Sequence, residues 1–89
     1  MIEREVEIVN RLGLHTRAAA KLVQTAGGFE SRVHLVKDGE RVDAKSILGV
    51  LLLAASQGTR VRVETDGEDE AEAMEAVTGL IADRFHEET

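Results

Sequence analysis

Ser31-Arg32-Val33-His34-Leu35-Val36-Lys37-Asp38-Gly39-Glu40-Arg41-Val42-Asp43-Ala44 contains two strand-like runs joined at Asp38-Gly39. Asp-Gly between such runs is the strongest short hairpin signal, because the tight turn needs residues that tolerate positive φ. Ser31–Val36 and Glu40–Ala44 are therefore read as paired strands. Working toward the N-terminus, Gly27-Gly28 ends a helix that begins at Thr16, with Ala19, Ala20, Leu22, Val23 and Ala26 on its apolar stripe. Before it, Asn10–His15 reads as a loop. Ile2–Val9 alternates, with Ile2, Val6 and Ile8 on one side and Glu3, Glu5 and Glu7 on the other, as a half-buried strand does.

Toward the C-terminus, Ser46 opens a short apolar helix over Ile47–Ala55 that stops near Gly58. Thr59–Thr65 alternates again, placing Val61 and Val63 inward and Arg60, Arg62 and Glu64 outward. Gly67 precedes a last helix whose Ala73, Met74, Val77, Leu80, Ile81 and Phe85 fall three or four apart. Glu68, Asp69, Glu70 and Glu72 lie at its start, where acids complement the helix dipole. The order is β-α-β-β-α-β-α. Four strands amphipathic on one face and three amphipathic helices imply a two-layer α/β sandwich. Residues 1–89 are expected to form one domain with a thin core.

Composition removes whole classes of function. There is no cysteine, which excludes disulfides, thiol catalysis and Cys-ligated metal. Aromatic residues make up 2% of the chain, too few for stacking on bases or sugars. The longest apolar run is too short for a membrane span, and the charged, alternating N-terminus does not read as a signal peptide, so a cytoplasmic protein is expected. The net charge of −6 is uneven: residues 1–63 carry +3 and residues 64–89 carry −9. Neither nucleic acid nor an anionic membrane suits that acidic third, and an anion-handling face is expected in the first two thirds.

Gly13-Leu14-His15-Thr16-Arg17 places a histidine in a glycine-containing loop just before a helix. The first N–H groups of a helix lack intrahelical partners and favour anions, phosphate above all. Arg17 could add a forked donor for phosphate oxygens. The same field disfavours an imidazolium, leaving a neutral ring nitrogen as nucleophile. A surface histidine beside a helix start is the plain alternative. Ser46 reads first as a helix N-cap, though a phosphate on its hydroxyl would also be favourably placed. Ile47, Leu48, Val50, Leu51, Leu52 and Leu53 are too apolar all round for a short one-sided helix, which suggests an exposed docking patch. His34 and His86 lack ligand partners at metal spacing and read as structural or inert, His86 in a frayed tail. The acids of Glu64–Glu75 lack a calcium-loop pattern. No cofactor or metal site is read from the sequence.

Leu12-Gly13-Leu14-His15-Thr16-Arg17-Ala18-Ala19, Lys45-Ser46-Ile47-Leu48-Gly49-Val50 and Gln57-Gly58-Thr59 together resemble the HPr family. These are the histidine-containing phosphocarriers of the bacterial phosphoenolpyruvate-dependent sugar phosphotransferase system. The resemblance covers essentially the whole chain. It implies an open-faced α+β sandwich, an antiparallel sheet of order 1-4-2-3 covered on one face by three helices. It implies a covalent carrier, not an autonomous enzyme; no sequence feature calls for a dimer, and a monomer is expected. His15 would take phosphate on Nδ1 from enzyme I and pass it to an enzyme IIA. Arg17 and the backbone N–H groups of Thr16 and Arg17 would hold the phosphoryl group. Thr16, Ala20, Gln24, Ile47, Leu48, Leu51 and Leu52 would form the docking face. Ser46 matches a serine that a dedicated kinase phosphorylates in many Gram-positive bacteria. One position departs from the family pattern: Ala18 stands where proline is usual. Alanine is also a good helix former, restores one N–H and removes one rigid constraint, so transfer is expected to survive.

Two other readings fit parts of the sequence. A nitrogen-branch or regulatory HPr-like protein, read out by its phosphorylation state, would use the same chemistry. A ferredoxin-like acylphosphatase shares the β-α-β-β-α-β order, with Asn10 and Arg11 as a weak match to its anion loop and water-positioning asparagine.

Overall fold

The computed structural model describes residues 1–89. Its strands are β1 (Ile2–Glu7), β2 (Arg32–Lys37), β3 (Glu40–Asp43) and β4 (Arg60–Asp66), and its helices are α1 (Thr16–Gly27), α2 (Ile47–Leu53) and α3 (Glu70–Ala82). The sheet runs β1-β4-β2-β3 and every pair is antiparallel. The β2–β3 hairpin closes as Lys37 opposite Glu40, with Asp38 and Gly39 both at positive φ (50° and 82°). Those angles are what the Asp-Gly pair predicts.

Alternation sets the two faces of the sheet. Val61, Val63 and Thr65 of β4 point inward beside Val33 and Leu35 of β2, and all five are buried. The three helices cover this side, contributing Leu22, Val50, Leu53, Met74, Val77 and Ile81 to one core. Arg4 and Lys37 also fall on the helix side. Arg4 reaches α3, donating to Thr78 Oγ1 and Glu75 Oε1 at 3.2 Å each. Lys37 Nζ donates to the Leu53 carbonyl at 3.1 Å, a cation at the negative end of α2. The open face carries Glu3 and Glu5 against Arg60 and Arg62. Glu64 lies on that outward face as expected, yet it is buried beneath Arg41 and Arg62, which donate to it at 3.0 and 3.1 Å. Burial alone would raise its pKa, but the two guanidinium groups outweigh burial and lower it.

Asp69 stands at the start of α3, where the sequence places it. Its carboxylate does not cap α3; it crosses to the start of β2, accepting from Glu30 N–H, Ser31 N–H and Ser31 Oγ at 2.9, 2.9 and 2.5 Å. The Ser31 hydroxyl and the two amides hold its pKa at about 2. Glu70 and Glu72 do occupy the first turn of α3.

The end of the chain is not frayed. Arg84, Phe85 and His86 have φ of 55°, 54° and 63°, a left-handed turn that costs non-glycine residues about 1–2 kcal/mol each. It is retained because it drives the Phe85 ring, fully buried, back into the core. Lys21 Nζ donates to the Phe85 carbonyl at 2.5 Å. Beyond the turn the chain runs over the Asn10–His15 loop, where Arg11 N–H donates to the Thr89 carbonyl at 2.7 Å.

Candidate functional site

The loop before α1 has one permitted geometry. Gly13 sits at φ 66°, and a Cβ there would lie 2.6 Å from the Ala55 carbonyl oxygen and 2.9 Å from Ser56 Cα. Only glycine fits so close a backbone approach. Leu14 N–H donates to Ala55 O at 2.9 Å, and Asn10, fully buried, donates through Nδ2 to Gly13 O at 2.8 Å. The loop is thereby pinned on both sides, and His15 emerges at the start of the helix.

His15 is the N-cap of α1. Its backbone is extended, its carbonyl takes the first helical bond from Ala19 N–H at 2.8 Å, and its Nδ1 accepts from Arg17 N–H at 3.3 Å. The N–H groups of Thr16, Arg17 and Ala18 precede that first helical bond and have no partner within the helix. Thr16 and Arg17 are exposed and Ala18 is buried. Nδ1 thus lies among the donors at the positive end of the helix. The other ring nitrogen, Nε2, is hydrogen-bonded to Glu87 Oε2. The second oxygen of that carboxylate accepts from Asn10 Nδ2 at 3.1 Å. Burial pushes the Glu87 pKa upward, but the bonds from His15 and Asn10 prevail and lower it.

Sequence reasoning missed Glu87, which lies 72 residues from His15 and in the acidic third. No local pattern signals it; only the left-handed turn at Arg84–His86 brings it over the loop. In the hydrolase reading Asn10 is the water-positioning residue. The structure instead seals it between Gly13 and Glu87, so the hydrolase match loses its asparagine.

The remaining candidates fall on two helix faces. Thr16, Ala20 and Gln24 recur every four residues along one side of α1. Of the α2 residues, Ile47, Leu48 and Leu52 are 42%, 64% and 69% exposed and Leu51 is half-buried, while Val50 and Leu53 are buried. The apolar excess of α2 is therefore on the surface, as its sequence suggests. Ser46 caps α2, its Oγ accepting from Gly49 N–H at 3.2 Å. His34 Nδ1 bonds to Arg41 on the open face and His86 Nδ1 to Asp83. A hollow lined by Lys37, Asp38, Glu40, Leu52, Leu53 and Ala54 shares no residue with the His15 site.

The model of the PTS HPr component phosphorylation site matches residues 2–83. The chain belongs to the HPr family. The phosphocarrier protein HPr of Cupriavidus necator is 56% identical over 87 residues, 98% of each chain. The structure of HPr-C-His from Thermoanaerobacter tengcongensis superposes with a TM-score of 0.97 at 46% identity, covering all of both chains. A crystal structure of an HPr dimer from the same organism matches at a TM-score of 0.79 and 46% identity, over 98% of this chain and all of that one. HPr proteins carry phosphoryl groups in the phosphotransferase system, and membership assigns that work to this chain. The open-faced fold with three helices on a 1-4-2-3 sheet is the one the resemblance implied. No helix is long and apolar enough to cross a membrane.

Proposed function

We propose that His15 is the phosphoryl acceptor, at Nδ1, taking the group from a phosphohistidine of enzyme I and passing it to an enzyme IIA. The observation that carries this reading is the hydrogen bond from Arg17 N–H to Nδ1, which marks that nitrogen as the unprotonated one. Its lone pair attacks phosphorus as the P–N bond to the donor imidazole breaks, and the bonding pair returns to the donor nitrogen. The Arg17 N–H is then released to a phosphoryl oxygen, joined by the N–H of Thr16. The exposed Arg17 guanidinium supplies charge where the three oxygens gather. A covalent relay needs an accessible nucleophile more than an enclosed cavity, which suits a histidine whose side chain is 24% exposed.

The chain works as a single-domain, cytoplasmic, monomeric carrier without catalysis of its own and without a cofactor. The face of Thr16, Ala20, Gln24, Ile47, Leu48, Leu51 and Leu52 receives both partners in turn. Ser46 is a second phosphorylation site in organisms with a kinase for it, and modification there exchanges a capping hydroxyl for a phosphate at the start of α2.

Incubation with phosphoenolpyruvate, Mg²⁺ and enzyme I, followed by intact mass, tests the central step. One acid-labile, alkali-stable phosphate on the parent chain and none on His15→Ala is the expected result. An adduct that persists in His15→Ala overturns the assignment.

A further inference from the structure

The ring of His15 is held at both nitrogens, and only one of the two contacts belongs to the helix end. Nδ1 accepts from a backbone N–H, so the ring proton sits on Nε2, where the Glu87 carboxylate receives it. We infer that Glu87 is a positioning residue for phosphoryl transfer: by accepting from Nε2 it keeps the proton off Nδ1 and fixes the plane of the ring.

Three observations support this. The Glu87 side chain is 11% exposed, so water competes poorly for Nε2. Its other oxygen is tied to Asn10, which is itself fixed to the Gly13 carbonyl, so the carboxylate is anchored to the same loop that carries the histidine. The segment that delivers it is built at a cost, through three consecutive left-handed residues around the buried Phe85 and the Lys21 contact to its carbonyl.

The inference rests on His15 being the acceptor. As Nδ1 gives its lone pair to phosphorus and the donor P–N bond breaks, the His15 imidazole becomes positively charged with its proton still on Nε2. Glu87 then faces that charge directly, with no proton leaving the pair. The arrangement acts on the ring and never touches the phosphoryl group.

The two carboxylate oxygens each accept from a different donor, and this makes one substitution diagnostic. In Glu87→Gln the side chain offers one oxygen and one NH₂. If the oxygen keeps Asn10, the NH₂ faces Nε2. With NH₂ against it, Nε2 must become the acceptor, so the proton shifts to Nδ1 at the expense of the Arg17 N–H contact and the nucleophile is lost. Glu87→Ala only removes the constraint. The experiment combines ¹⁵N imidazole spectra of His15 with initial rates of phosphate uptake from phospho-enzyme I. Amide spectra verify that each variant is folded.

The expected spectra show Nε2–H in the parent, a mixture in Glu87→Ala, and Nδ1–H in Glu87→Gln. The expected rates fall about tenfold for Ala and about a hundredfold for Gln, the range seen when groups that orient a histidine are removed. Folded variants that keep the Nε2–H form, or that lose rate equally without a tautomer change, overturn the inference and leave Glu87 as a tie for the chain end. A parent that takes no phosphate on His15 sinks the acceptor reading itself, a failure visible without any Glu87 variant.

Discussion

His15 is defined by its neighbours on the backbone as much as by its own chemistry. The residue that decides its position is Gly13, whose φ of 66° and close approach to Ala55 O admit no side chain. Gly13→Ala is expected to destabilise the fold by about 3 kcal/mol, from left-handed strain and backbone displacement, as read by urea denaturation. Its phosphate uptake should fall as well, because the same displacement moves the start of α1. Arg17 has a separate role. Arg17→Ala is expected to leave the denaturation midpoint unchanged, since the side chain is exposed, while uptake from phospho-enzyme I falls about a hundredfold. Equal rates for the variant and the parent would remove Arg17 from the site.

Among the elements, α2 carries two jobs that separate cleanly by face. Ser46→Ala should cost about 1 kcal/mol in thermal or chemical unfolding through the lost bond to Gly49 N–H. Leu48→Ala and Leu52→Ala should change stability by no more than about 0.5 kcal/mol, both side chains being largely exposed, yet weaken binding to enzyme I in titration calorimetry. Much of this was legible in the sequence because it is local. The Asp38-Gly39 turn, the alternation of β1 and β4, the stripe of α1 and the serine before α2 are each set by residues a few positions apart. The surplus leucines of α2 announced an exposed face for the same reason. What escaped was contact between distant segments. Asp69 looked like one more acid at a helix start, and its clamp on Ser31 depends on where β2 begins. Glu87 looked like tail, and its approach to His15 depends on a turn whose φ values no residue type there advertises.

At the scale of the whole molecule, acid is the condition that should undo it. Asp69, with a pKa of about 2, and Glu64, Glu70 and Glu87, all lowered, bind protons less readily in the folded chain than in the unfolded one. Their contribution is complete above the ordinary carboxylate range near about 4 and is lost as pH falls from there toward about 2. Urea midpoints should hold steady near neutrality and drop steeply through that interval. Asp69→Asn should flatten part of the drop, because the amide cannot accept from Ser31 and Glu30 as the carboxylate does and no proton-linked term remains. A midpoint independent of pH across that window would contradict the assignment of these carboxylates.

The sheet order has a consequence for how the chain is made. β4 lies between β1 and β2, so β1 has no neighbour to bond until residues 60–66 arrive. On a ribosome that has reached Thr59, the β2–β3 hairpin is the only strand pairing available, and the valines and leucines meant for the core have no completed layer to cover. Folding must therefore wait for the late strand and then proceed in one step, joining Ile2 to Thr65 across most of the sequence. The nascent chain should remain protease-sensitive through the synthesis of α1 and α2, and resistance should emerge abruptly once β4 and α3 have cleared the exit tunnel.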